Sequence, residues 1–177
     1  MCWNYRGYGL SEGAPSAKAL CDDVTQIYDY MRQVLKLTGK VGIYGCSLGG
    51  IPASYLPSVR DVELVICDRT FSSLDAMAED VVKGLYPIYK LATYLQGNDN
   101  ARAFLTESQN KVHKLIMIDV EDTTVPLKQS LMHGVARKIR EESNLLDLTE
   151  TKALALSLSR LYELEDALFN SISLMIE

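Results

Sequence analysis

The residues with the plainest chemical potential lie in Ile43-Tyr44-Gly45-Cys46-Ser47-Leu48-Gly49-Gly50, where a serine stands between glycines directly after an apolar, partly β-branched run. A turn tight enough to join a strand to a helix exposes the side chain at its apex. Gly45 and Gly49 remove the Cβ atoms that would clash in such a turn. The helix that follows would aim its N-terminus and the Leu48 N–H at any oxyanion forming beside Ser47. The chemistry implied is acyl transfer through a serine nucleophile, which also needs a base. The chain has two histidines. His113 precedes an apolar run and is expected at the start of a strand, at the end of the sheet away from Ser47. His133 lies inside the helical pattern "LKQSLMHGVARKIREE".

The elements that must position Ser47 can be read from periodicity. Ser16 stands where a helix N-cap would, and Leu20, Val24, Ile27, Tyr28, Met31, Val34 and Leu35 recur behind it at helical spacing up to Gly39. Val41–Tyr44, Val62–Cys67 and Lys114–Ile118 are short apolar runs of the kind that form buried parallel strands. Cys2–Tyr5 reads as the end of a further strand. A helix is expected over Leu48–Leu56, with Pro52 awkward in its first turns. Helical patterns lie between the later strands, and connections of this length predict a mostly parallel sheet flanked by helices on both faces, an α/β fold. Beyond Pro126 only helices are expected, the last over Glu150–Met175.

Composition bounds the function. The 177 residues suffice for one domain, and 47% hydrophobic with 23% charged residues is a globular composition. A net charge of −5 argues against nucleic-acid binding. No apolar run is long enough for a membrane span and no signal-peptide pattern is present, so a cytoplasmic or peripheral-membrane location is expected. Cys2, Cys21, Cys46 and Cys67 show no paired or metal-binding spacing, which predicts reduced thiols, no metal and no cofactor.

Four segments, "NYRGYGLSEGAPS", "IYGCSLGG", "VICDRTFSSL" and "IDVEDTTVP", occur in an order that resembles the α/β-hydrolases. The resemblance is to the serine-aminopeptidase-like branch, with acyl-protein thioesterases and phosphatidylserine-lipase-like enzymes. It covers residues 2 to about 135. It implies a nucleophile–acid–histidine triad that hydrolyses esters, thioesters or lipids. Residue by residue, Ser47 matches the nucleophile, Leu48 the backbone half of the oxyanion hole, and Asp122 the acid, with Asp119, Glu121 and Asp68 as alternatives. His133 follows the acid, as the family order requires, but without the strand and loop that would return it to Ser47.

Against that pattern the chain reads as N-terminally truncated. The family strand expected between "CWNY" and "VGIYG" is missing, as is the loop donating the second oxyanion N–H. The expected organisation is an incomplete core over 1–135, with a small cap within 75–111, and a helical extension of the same domain over 136–177. The apolar, tyrosine-rich Gly84–Leu95 is expected to pack on the sheet, line an acyl pocket or touch a membrane. Expected partners are a small acyl or lipid-like substrate, a membrane surface, and a protein supplying the missing strands. The alternative is a catalytically incomplete or purely binding module.

Overall fold

The computed structural model describes residues 1–81, 98–106 and 112–142. Helix α1 spans Ala17–Gln33, with Ser16 as its cap; the Ser16 Oγ accepts the Ala19 N–H at 3.0 Å. Leu20, Val24 and Tyr28 form its buried face. The helix stops short of Gly39 because the chain turns at Lys36 into the left-handed region, φ 54°, with the Leu35 N–H donating back to the Tyr30 carbonyl at 3.0 Å and the Leu37 N–H to the Met31 carbonyl at 3.1 Å. Arg32 donates to the Leu37 and Gly39 carbonyls at 2.7 and 2.8 Å, outside the helix.

Strands β1 (Gly42–Cys46), β2 (Leu64–Asp68) and β3 (His113–Met117) form a parallel sheet in that order. Each lies within two residues of its sequence-predicted span. Helix α2 (Gly50–Tyr55) joins β1 towards β2, α3 (Leu74–Val81) and α4 (Asn100–Leu105) lie between β2 and β3, and α5 (Leu131–Glu142) follows β3. Residues Cys2–Tyr5 form no strand. Their predicted ladder partner is not among the described residues, and a strand is stable only when its N–H and C=O groups are paired.

Val65, Cys67, Ile43 and Ile116 pack into one cluster with Val24, Tyr28, Ala53, Leu56, Ala101, Phe104 and Leu131. Four of the helices therefore share one face of the sheet. Burial pushes the Cys67 thiol up to about 11. On the opposite face Tyr44, Leu64, Leu115 and Met117 are exposed among the described residues. Helix α2 approaches the sheet so closely that a Cβ at Gly50 would fall 1.9 Å from Thr70 Cγ2, and Thr70 is itself fully buried.

The chain divides into compact units Met1–Lys138 and Ile139–Glu177. Most of the expected cap, including Gly84–Leu95, and the expected helix Glu150–Met175 lie outside the described residues.

Candidate active site

Ser47 has φ 51° at the junction between β1 and a single 3₁₀ turn, Ser47–Gly49, that leads into α2. A non-glycine residue in this left-handed region is strained and stays there only when its surroundings impose it. Here they do. A Cβ at Gly45 would lie 2.1 Å from the Gly49 carbonyl oxygen, so the chain doubles back on itself in van der Waals contact. Pro52 fits at the third residue of α2, where the missing N–H has no helical acceptor to lose. The Leu48 side chain packs against the buried group containing Ile51 and Val125.

Of the other non-glycine residues in the left-handed region, Lys36 lies after α1, and Arg69, with φ 45°, lies one strand over from Ser47, just after β2. Its guanidinium grips Asp68 at both carboxylate oxygens, each 3.0 Å away, while the Tyr44 hydroxyl donates to Asp68 Oδ2 at 2.6 Å. The Arg69 guanidinium holds the Asp68 carboxyl below the usual range, and the bond to Asp68 raises the Tyr44 phenol to about 12. Asp68 is only 6% exposed, so it is a buried, fully engaged carboxylate rather than a surface ion pair.

After β3, the Asp122 Oδ1 accepts the Thr124 and Val125 N–H groups at 2.7 and 3.0 Å. This closes a tight turn and leaves Oδ2 without a hydrogen bond among the described residues. The neighbouring Asp119 does the same for the Glu121 N–H at 2.9 Å. Val125 is buried beside Ile51, which anchors the loop to α2.

Ser47 and Asp122 line one pocket of about 370 Å³ with Cys46, Arg69, Asp119, Glu121, Thr123, Thr124 and Val125. The ends of β1 and β3 thus bring the two residues to the same edge of the sheet. Neither histidine lines that pocket. His113 opens β3 at the opposite end. His133 is exposed on α5, its N–H bonded to the Ser130 Oγ at 3.2 Å. From the sequence Arg69 could be read only as an ion-pair partner of Asp68; its left-handed backbone and its place on the pocket come from the structure. Among the described residues no cluster of three His, Cys, Asp or Glu could hold a metal ion, and no helix is long and apolar enough to cross a membrane.

Parallel strands with intervening helices define an α/β fold, and a strained serine stands on the turn from β1 into α2. The chain is 31% identical over 128 residues to an uncharacterized membrane protein of Saccharomyces cerevisiae, matching 70% of this chain and 44% of that protein. It is 28% identical to the protein bem46 of Schizosaccharomyces pombe over 73% of this chain and 43% of that one. It is also 33% identical to the alpha/beta hydrolase domain-containing protein WAV2 of Arabidopsis thaliana, over 42% of this chain and 25% of that one. These likenesses point to the α/β-hydrolase superfamily, and the chain spans less than two thirds of the length of each of these relatives. No protein-family model and no solved structure matches it.

Proposed function

We propose that this chain is the nucleophile-bearing part of a serine hydrolase of the α/β-hydrolase superfamily, acting on ester, thioester or lipid acyl groups. The observation that carries the reading is the left-handed backbone of Ser47 on a pocket it shares with Asp122. In this reading Ser47 attacks the acyl carbon and the Leu48 N–H supports the oxyanion. Asp122, with one oxygen spent on its own turn, keeps the other to orient a histidine. That histidine comes from polypeptide outside the 177 residues, because neither His113 nor His133 lines the pocket. The thioesterase and phosphatidylserine-lipase-like branch is the substrate class proposed. A peripheral membrane location fits the name of the Saccharomyces cerevisiae relative.

A second reading is a binding module without catalysis, favoured by the lack of a histidine on the pocket among the described residues. The test is p-nitrophenyl ester turnover by the 177-residue chain and by the chain extended with its flanking coding sequence, each beside Ser47→Ala and His133→Ala. The extended protein should hydrolyse the ester in a Ser47-dependent way. The short chain should stay near background, since a missing base costs about 10²–10⁴-fold. Turnover by the short chain that both substitutions abolish would make His133 the base. An extended protein indifferent to Ser47→Ala would leave the binding-module reading standing.

A further inference from the structure

The turn between α1 and β1 feeds the sheet at Gly42, so it lies at the end of β1 away from Ser47. All residues from Gln33 to Lys40 are exposed. Val34, Leu35 and Leu37 show 60, 46 and 47% of their surface to solvent, and Tyr30 on the last turn of α1 shows 46%. The backbone beneath them is satisfied locally. The Val34, Leu35 and Leu37 N–H groups return to the Tyr30 and Met31 carbonyls, and Arg32 takes up the Leu37 and Gly39 carbonyls. A segment pinned by its own hydrogen bonds keeps these apolar side chains outward, where water must cover them. The charge among them is of one sign. No acidic residue occurs between Asp29 and Asp61, while Arg32, Lys36 and Lys40 recur along the turn. Among the described residues Lys36 has no ion-pair partner. Lys40 reaches Glu63 at 2.6 Å with its side chain 85% exposed, an ion pair worth little in water.

We propose that this turn is a membrane-contact site, which seats Val34, Leu35 and Leu37 in the interface of a bilayer carrying anionic phospholipid. Three observations select a lipid surface over another protein. An unbroken run of exposed residues projects from the fold, and neither it nor its neighbours line a cleft. Three of its N–H groups turn back to α1, so the turn offers no edge to a strand. Cations interleaved with aliphatic side chains match phosphates standing over acyl chains: the lysine stems lie along the apolar layer and the ammonium groups meet the headgroups. The whole length of β1, Gly42–Cys46, separates this contact from Ser47. A chain docked here keeps its pocket open to water on the far side. The proposal stands whether or not Ser47 is catalytic, and it goes beyond a peripheral location by naming the surface that makes the contact.

The test is co-sedimentation of the full chain with vesicles of phosphatidylcholine containing one third phosphatidylserine, beside vesicles of phosphatidylcholine alone. The expected result is saturable pelleting with the mixed vesicles, weaker by about fivefold or more without phosphatidylserine and weakened by added salt. Leu35→Ser combined with Leu37→Ser should lower partitioning about tenfold or more, since the bilayer no longer covers two exposed aliphatic side chains. Lys36→Gln should lower it about fivefold on the mixed vesicles and leave phosphatidylcholine unchanged, as one charge near an anionic surface predicts. Urea denaturation should find both variants as stable as the wild type, because these side chains stand outside the core clusters. If the double variant loses stability, Lys36→Gln decides alone. No pelleting with either vesicle would overturn the proposal, as would pelleting that the variants leave unchanged. A dimer in sedimentation that the double variant abolishes would give the turn to a second copy of this chain instead.

Discussion

The turn at Ser47 and the loop at Asp122 meet at one pocket but are held by different means. The Ser47 turn is set by tertiary packing: Gly45 against the Gly49 carbonyl, Gly50 against the buried Thr70, Leu48 against the Ile51 group. The Asp122 loop is set mainly by itself, through side-chain oxygens that take up nearby N–H groups. A turn imposed by its surroundings can store strain, as the φ of Ser47 does. A turn held by its own side chains can bend without disturbing the sheet. Half of this pocket is therefore rigid scaffold, and half is a locally knotted loop able to adjust to what enters.

Breaking the packed half should cost most. Gly45→Ala puts a methyl group 2.1 Å from backbone oxygen, and Gly50→Ala puts one 1.9 Å from Thr70 Cγ2. Each should destabilise by roughly 3 kcal/mol or more, or prevent folding outright, as read by urea denaturation. Adding Thr70→Ala should recover part of the Gly50→Ala loss and none of the Gly45→Ala loss. Equal recovery would show that the two glycines are not independent contacts.

The self-held half should yield less. Asp122→Ala removes the acceptor of two N–H groups and should cost about 1–2 kcal/mol, with Asp122→Asn nearer wild type. A loss as large as that at Gly45 would mean the loop is part of the scaffold after all.

The strain itself is testable at Ser47. Ser47→Gly should be about 1 kcal/mol more stable than Ser47→Ala, because only glycine accepts φ 51° without steric cost. Equal stability of the two variants would argue that the turn relaxes.

The smallest effect concerns pH, at the Tyr44–Asp68–Arg69 group behind the pocket. The Tyr44 phenol rises from 10.0 to about 12, so its bond to Asp68 stabilises fully below pH 10 and is lost as pH climbs through about 12. Asp68 is lowered from 3.8, so its contribution holds above that value and fades as acid passes through the lowered one. Ultraviolet titration should show a late-ionising phenol that Tyr44→Phe removes. If the variant loses a phenol titrating near 10 instead, the bond to Asp68 does not form in solution.

Much of the packed half was legible in the sequence, because tight packing leaves glycines and apolar runs behind it. The three apolar runs became β1, β2 and β3 and Ser16 capped α1, but the expected cover on both faces is absent over Tyr44, Leu64, Leu115 and Met117 among the described residues. The placement of Asp122 at the edge shared with Ser47 also follows from strand order. What the residues could not tell is where unpaired segments go. Cys2–Tyr5 has strand-like composition, but a strand is defined by its neighbour, and composition does not say whether the neighbour is present. The end of α1 was placed late because the left-handed turn that closes it falls on Lys36, φ 54°, rather than on a glycine or asparagine that composition would have marked. Arg69 could be paired with Asp68 from the sequence, but its place on the pocket rests on a backbone angle that no residue type marks.

Cys67 sits on the middle strand, 0% exposed, while Cys2 and Cys46 are open to solvent. A thiol reagent will therefore find Cys2 and Cys46 at once and Cys67 only when β2 is released from both neighbours. The slow phase of its labelling is a clock set into the sheet, ticking once for each opening. Slowing of that phase by a ligand would count, in seconds, how firmly the ligand holds the strands together.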